Sequence, residues 1–96
     1  PLWGIYAAVT RKDMDGHPSG SYYPNERITT EEALRLFTEG GAYAEFNEDK
    51  KGTLECGKLA DFVVLSQDLF RVAPDDIKDI EVLMTVVGGE LAYQKA

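Results

Sequence analysis

Hydrophobic and polar positions change their spacing along this chain, and each change predicts a different element. From Leu2 to Val9, apolar residues recur at intervals of three and four positions, which predicts an amphipathic helix from Leu2 to about Lys12. Residues 13–27 lack this spacing and are rich in glycine, proline and serine, so they are predicted to form a loop. A loop of this length in a compact domain is uncommon and usually indicates either function or disorder.

A second helix is predicted to begin at Thr29. Thr29 and Glu32 have the spacing of a capping box, in which each side chain caps the backbone N–H of the other residue. The pair Gly40-Gly41 is predicted to end this helix, because glycine is the residue most often found just beyond a helix end. Residues 42–46 are predicted to add one more helical turn.

The segment Gly52–Leu65 predicts a strand, a tight turn and a second, buried strand. Gly57 permits the positive φ that a turn between strands requires. Phe62–Leu65 is a run of four apolar residues, two of them β-branched, which is typical of a strand covered on both faces. The segment therefore predicts the start of a sheet.

The last quarter of the chain predicts two further strands. After an irregular stretch, Pro74 is predicted to open a single helical turn. Apolar residues fall on both faces of Ile80–Val87, and Gly88-Gly89 has the pattern of a two-residue hairpin turn that returns Glu90–Tyr93 as a strand. Helices followed by strands in this way indicate an α+β fold.

Composition excludes several classes of protein. The chain is 44% hydrophobic and 28% charged, which is ordinary for a globular domain, and its net charge of −7 argues against nucleic-acid binding. No apolar run approaches the roughly 20 residues of a membrane span. Cys56 is the only cysteine, so no disulfide forms within the chain, and a reducing, cytoplasmic location fits. A start at Pro1 rather than Met suggests a trimmed product.

The segment 52–65 also carries a family resemblance. Its pattern, G-x-L-E-x-G-K-x-A-D-x-V-V-L, follows a helix of the T-x-E-E-A-L type that begins at Thr29. Together they resemble the C-terminal end of enzymes of the amidohydrolase superfamily. The stretches Trp3–Arg11 and Tyr23–Thr29 are most similar to the large-barrel branch of that superfamily. The resemblance covers almost the whole chain, and its motif is specific to the superfamily rather than to a substrate.

The resemblance implies that the chain is an α+β fragment of a much longer enzyme. Residues 1–46 would be the last helices of a (β/α)8 barrel, and residues 47–96 the C-terminal part of a composite β-sandwich completed by strands from the N-terminal end of the enzyme. Cut free of those strands, Phe62–Leu65 and Ile80–Val87 would present open edges, which pair readily with other chains. The expected partners are therefore the remainder of the parent chain or a second copy.

The resemblance also implies the chemistry of the parent enzyme. Members use one or two divalent metal ions, typically zinc, held by a His-x-His pair, a lysine or acid, two further histidines and an aspartate. The metal activates a water molecule that attacks a carbon–nitrogen bond other than a peptide bond. None of these ligands is found here, because His17 is the only histidine. The fragment alone is expected to be inactive and metal-free.

Candidate site residues are few. Arg11, Tyr22 and Tyr23 would lie in or beside the connection that follows the last barrel strand, where they could contact an anionic or aromatic part of a substrate. The plainer interpretation is a surface arginine and two tyrosines that close a loop. His17 is better explained as a loop histidine than as a metal ligand, and Cys56 as a packed turn residue than as a nucleophile. The acidic pairs, Glu48-Asp49 and Asp75-Asp76, are explained by solvated turns and a helix start.

Two other functions remain open from the residues alone. The chain could be an independent acidic α+β module that binds a protein partner through an open strand edge. It could also be a small enzyme that uses Arg11 and His17, although no base, nucleophile or ligand set converges on them. The first alternative predicts a monomer that folds cooperatively alone.

Overall fold

The computed structural model describes all 96 residues and confirms an α+β chain. Its elements in order are α1 (Leu2–Thr10), a first 3₁₀ helix (Pro24–Glu26), α2 (Thr30–Phe37), α3 (Glu39–Ala44), β1 (Phe62–Leu65), a second 3₁₀ helix (Pro74–Asp79), β2 (Val82–Val87) and β3 (Glu90–Gln94). The chain divides into two compact units. The first comprises Pro1–Leu34 with Gln67–Ile80, and the second comprises Arg35–Ser66 with Glu81–Ala96.

The core of the first unit lies between α1 and the second 3₁₀ helix. Tyr6 and Ile77 are fully buried there, and Ile5 is 2% exposed. Helix α1 ends at Thr10, two residues before the predicted end at Lys12, because Arg11 adopts the left-handed conformation (φ 57°, ψ 39°). The Thr10 hydroxyl donates a hydrogen bond back to the carbonyl of Tyr6 (2.8 Å). The same hydroxyl accepts the backbone N–H of Lys12 at 3.3 Å, which turns the chain away from the helix axis.

The capping box predicted at Thr29 is confirmed. The Thr29 hydroxyl accepts the backbone N–H of Glu32 at 3.1 Å, and a carboxylate oxygen of Glu32 accepts the N–H of Thr29 at 3.0 Å. Each side chain thus satisfies a backbone donor that the first helical turn leaves unpaired. The pKa of the Glu32 carboxyl is lowered mainly by the hydrogen bond from the Thr29 backbone.

Replacing Thr29 by alanine is expected to destabilise α2 by about 1 kcal/mol, because the Glu32 amide loses its acceptor. Native-state hydrogen exchange in the full-length protein measures this as faster exchange of the Glu32 and Ala33 amides. Thr30→Ala is the matched control, since Thr30 already lies inside the helix. Equal amide exchange rates for Glu32 and Ala33 in the two variants would show that the capping box does not stabilise the helix.

The predicted end of this helix at Gly40-Gly41 is wrong. Helix α2 stops at Phe37, and both glycines lie inside α3. The break is at Thr38, which leaves the helical conformation (φ −121°, ψ −77°) while its N–H donates to the carbonyl of Arg35, three residues back, at 3.3 Å. The predicted additional turn at residues 42–46 is part of α3, which begins earlier and ends at Ala44.

The sheet has three antiparallel strands in the order β1-β2-β3. The predicted hairpin at Gly88-Gly89 is confirmed, with Val87 opposite Glu90 and Val86 opposite Leu91. On its other side β2 pairs with β1, with Phe62 opposite Val86. The predicted open edge on Ile80–Val87 is therefore wrong, because this strand lies in the centre of the sheet, and the outer edges belong to β1 and β3.

Two further predictions for the sheet are wrong. Residues 52–57 are irregular and end in a turn at Cys56 and Gly57, so they do not form a strand. The strand Phe62–Leu65 is not buried, since Val63 is 50% exposed and Val64 is 40% exposed. Strand register places Phe62, Val86 and Leu91 on one face of the sheet, and Val63, Thr85 and Tyr93 on the other. Both faces are apolar, and nothing in the chain covers either of them fully.

The second half of the 52–65 motif anchors the hairpin that follows it. The Asp61 carboxylate accepts the backbone N–H of Gly88 at 2.7 Å, and the carbonyl of Ala60 accepts the N–H of Gly89 at 3.0 Å. Lys58 donates to the hydroxyl of Thr53 at 2.8 Å, which closes the turn between them. The motif residues therefore stabilise the sheet and its connections.

Candidate functional site

The three candidate residues Arg11, Tyr22 and Tyr23 meet at the C-terminal end of α1. The backbone N–H of Tyr22 donates to the carbonyl of Arg11 at 2.8 Å, and Nε of Arg11 donates to the carbonyl of Tyr22 at 3.0 Å. The guanidinium carbon lies 6.0 Å from the centre of the Tyr22 ring. The Tyr22 and Tyr23 rings contact each other edge to face, with centroids 4.4 Å apart.

Backbone strain is concentrated in the same connection. Arg11 (φ 57°), Ser21 (φ 67°) and Tyr23 (φ 48°) adopt the left-handed conformation, which is uncommon for residues other than glycine. Each such residue costs about 1–3 kcal/mol and persists only where surrounding interactions fix it. At Arg11 those interactions are the N–H donated to the carbonyl of Ala7 (2.8 Å) and the two bonds with Tyr22.

Contacts within the first unit fix the beginning of this connection. The buried Tyr6 donates its hydroxyl to the carbonyl of Asp13 at 2.7 Å. Lys78 donates to the carbonyl of Met14 at 2.6 Å, and its ammonium lies 5.4 Å from the centre of the Tyr6 ring. No sequence pattern signalled these contacts, because Lys78 and Met14 lie 64 positions apart.

Asp13 organises the turn that follows. One carboxylate oxygen accepts the backbone N–H groups of Asp15 (2.9 Å) and His17 (3.0 Å). The pKa of Asp13 is held below its ordinary value of 3.8, chiefly by the hydrogen bond from the His17 backbone. His17 is thus a loop residue whose main chain shapes the turn, as the plainer interpretation predicts.

This arrangement predicts a pH dependence. Since the pKa of Asp13 is lowered by folding, its carboxylate stabilises the folded protein above about pH 3.8 and loses that effect as the pH falls through its lower, folded value. The stability advantage of the wild-type protein over Asp13→Asn is expected to be full at pH 6 and to shrink below pH 3.8. Thermal unfolding of the full-length protein measures it, with Asp15→Asn as control. A difference that is constant across this range would contradict the assignment.

The remaining candidates are surface residues. Cys56 is exposed in a turn, so the predicted packing of its side chain is wrong. Asp75 and Asp76 lie in the first turn of the second 3₁₀ helix, as predicted, and Asp75 pairs with Lys12 at 3.1 Å. Glu48 and Asp49 lie in an exposed turn between α3 and β1.

The chain does not hold a metal site. No three side chains of histidine, cysteine, aspartate or glutamate come together in a way that could bind a metal ion. The residues present therefore do not fit the metal that the family resemblance implies. No helix combines the length and apolar character needed to cross a membrane.

Comparison with known proteins shows the family. The model of the amidohydrolase family matches residues 1–93. The protein described as amidohydrolase YtcJ of Bacillus subtilis is 38% identical over the whole chain, which covers 18% of that protein. An N-substituted formamide deformylase of Arthrobacter pascens is 35% identical over 95% of the chain and 16% of its own length. The crystal structure of an amidohydrolase from Thermotoga maritima superposes with a TM-score of 0.61 and 25% identity, over 74% of this chain and 17% of that one.

The chain therefore belongs to the amidohydrolase family, as the 52–65 motif indicated. It spans less than a fifth of the length of these relatives. The comparisons thus define the family to which these residues belong.

Proposed function

We propose that these 96 residues are the C-terminal closing part of a metal-dependent amidohydrolase. Residues 1–46 would complete the wall of its (β/α)8 barrel, and residues 47–96 would supply C-terminal strands of its β-sandwich. The observation that carries the proposal is the family match over residues 1–93 together with exposed apolar residues on both faces of the sheet. Apolar faces of this extent are normally buried against other protein.

The reaction proposed for the parent is hydrolysis of a carbon–nitrogen bond other than a peptide bond. A divalent metal ion, which we propose to be zinc, would supply an activated water molecule. Its ligands would come from the parent's other strands, since this chain offers no ligand set. The contribution of the chain is structural, and alone it would be inactive. A single free cysteine, Cys56, is compatible with a reducing cytoplasmic location for the parent.

Metal removal from the full-length protein tests this reaction. Hydrolysis of a panel of N-substituted formamides and cyclic amides is expected to fall at least about 100-fold after treatment with a chelator. Added zinc should restore it, and magnesium serves as the control ion. Full activity in protein shown to be free of metal would refute the proposal.

Arg11, Tyr22 and Tyr23 are proposed to form an edge of the substrate pocket. What supports this placement is their mutual contact and the exposure of both tyrosine rings (59% and 62%). They would contact substrate without taking part in the chemical step.

An independent interaction module is the second candidate. The unpaired outer edges of β1 and β3 favour it, because an extended segment of another protein can pair with such an edge. It requires the chain to be stable as a monomer, whereas the hydrolase proposal requires the remaining polypeptide to cover the sheet.

A further inference from the structure

The guanidinium of Arg11 is fixed through one nitrogen and open at the other two. Nε is engaged by the carbonyl of Tyr22, and the group lies over the Tyr22 ring. Arg11 forms no ion pair, although the chain carries 17 acidic side chains against 10 lysines and arginines. Because Nε is occupied, the two terminal nitrogens remain as a planar pair of donors. That pair matches the two oxygens of a carboxylate.

The tyrosines give this cation an apolar surround. Tyr22 lies under the guanidinium, and Tyr23 packs against Tyr22 with the ring planes at 77°. Both tyrosine residues are more than half exposed in this chain. A carboxylate attached to an aromatic or other flat apolar group would contact the guanidinium and the rings together.

The backbone of the same connection is strained. Arg11 and Tyr23 are both left-handed, and Ser21 between them is left-handed too. Strain of this kind is concentrated at ligand-binding sites, where it holds side chains in a productive position.

We propose that Arg11, with Tyr22 and Tyr23, forms a binding site for a carboxylate. The carboxylate belongs either to the substrate of the parent enzyme or to an aspartate or glutamate of the parent's remaining polypeptide. The first source deepens the proposed pocket edge and rests on that proposal.

Binding of benzoate and of its neutral isostere benzamide to the full-length protein tests the site. Isothermal titration calorimetry is expected to show that Arg11→Gln weakens benzoate by about 10- to 100-fold, because two charge-assisted hydrogen bonds are lost. Benzamide affinity should change less than about twofold. Tyr22→Leu should weaken benzoate by a smaller factor, and Tyr22→Phe should retain the wild-type affinity.

Arg27→Gln is the matched control. Nε of Arg27 also donates to a backbone carbonyl, that of Pro24 at 3.0 Å, and Arg27 has no carboxylate partner, but no aromatic ring lies beneath it. Arg27→Gln removes one positive charge, as Arg11→Gln does, from the connection between α1 and α2. Benzoate affinity in this variant is expected to equal that of the wild type.

A carboxylate of the parent chain would give a different result. Benzoate affinity would then be independent of Arg11, while Arg11→Gln would lower the melting temperature by an amount that shrinks at high salt, since salt screens ion pairs. Benzoate affinity independent of Arg11, with no salt-dependent loss of stability, overturns the proposal. Affinity is measured without turnover, so failure here is distinguishable from failure of the proposed hydrolysis.

Discussion

Produced without the rest of its parent polypeptide, the 96-residue chain is expected to self-associate. Leu91 is 55% exposed on one face of the sheet and Val63 is 50% exposed on the other, and the outer edges of β1 and β3 are unpaired. Exposed apolar strands with free edges associate readily at micromolar concentrations. Sedimentation velocity at about 100 μM is expected to show dimers and larger species.

A charge placed on β1 should reverse this association. Val63→Lys puts an ammonium on an apolar face of an edge strand and is expected to shift the chain towards monomer by about tenfold in association constant. Gln67→Lys adds the same charge at an exposed position outside the sheet and should have no such effect. A monomeric wild-type chain that unfolds cooperatively would instead support the independent interaction module.

Substitution of Gly52 by alanine is expected to produce a large loss of stability in the second unit. Gly52 has φ +106°, and a Cβ built there lies 3.0 Å from the Cβ of Ala42 and 3.3 Å from the Cα of Glu39. Backbone strain and the clash with α3 each contribute about 1–3 kcal/mol. The expected sum is about 2–6 kcal/mol, measured by denaturant unfolding of the full-length protein.

Alanine variants of two other glycines distinguish the effect of the steric clash on stability from the effect of backbone strain. Gly57 also has positive φ (+92°), but nothing lies within 4 Å of its added Cβ, so Gly57→Ala should cost only about 1 kcal/mol. Gly41 lies inside α3 with free space around it, and Gly41→Ala should stabilise the helix by up to about 1 kcal/mol. Equal losses at Gly52 and Gly57 would show that the contact with α3 is unimportant.

Local signals in the sequence predicted local structure well. The capping box at Thr29 and the hairpin at Gly88-Gly89 depend on a few neighbouring residues, and both are confirmed. Gly40-Gly41 misled the prediction because glycine ends a helix only where the chain needs a left-handed residue, and neither glycine has positive φ. The break falls instead at Thr38, a residue that carries no strong stop signal.

Burial was harder to predict because it depends on atoms outside the chain. The run Phe62–Leu65 has the composition of a strand covered on both faces, yet most of it is exposed here. That composition indicates an environment that the remaining polypeptide of a family member would provide. The mismatch between apolar sequence and exposed position supports the proposal that the remaining polypeptide completes the sheet.

The candidate site could be predicted only as a set of residues. Position along the chain placed Arg11, Tyr22 and Tyr23 in or beside one connection, but it did not predict that the guanidinium would lie over the Tyr22 ring. That contact depends on left-handed backbone at Arg11 and Tyr23, for which the side chains give no signal. The contacts of Lys78 with Met14 and Tyr6 were equally hidden, because they join distant parts of the sequence.

Hydroxyl-radical labelling of the full-length protein tests the central claim most directly. If the remaining polypeptide covers both faces of the sheet, Phe62, Leu91 and Tyr93 should be as well protected as the buried Tyr6, although they are 37%, 55% and 49% exposed in this chain. Labelling of these three side chains at the rate seen in the unfolded protein would contradict the claim that these residues complete a larger enzyme.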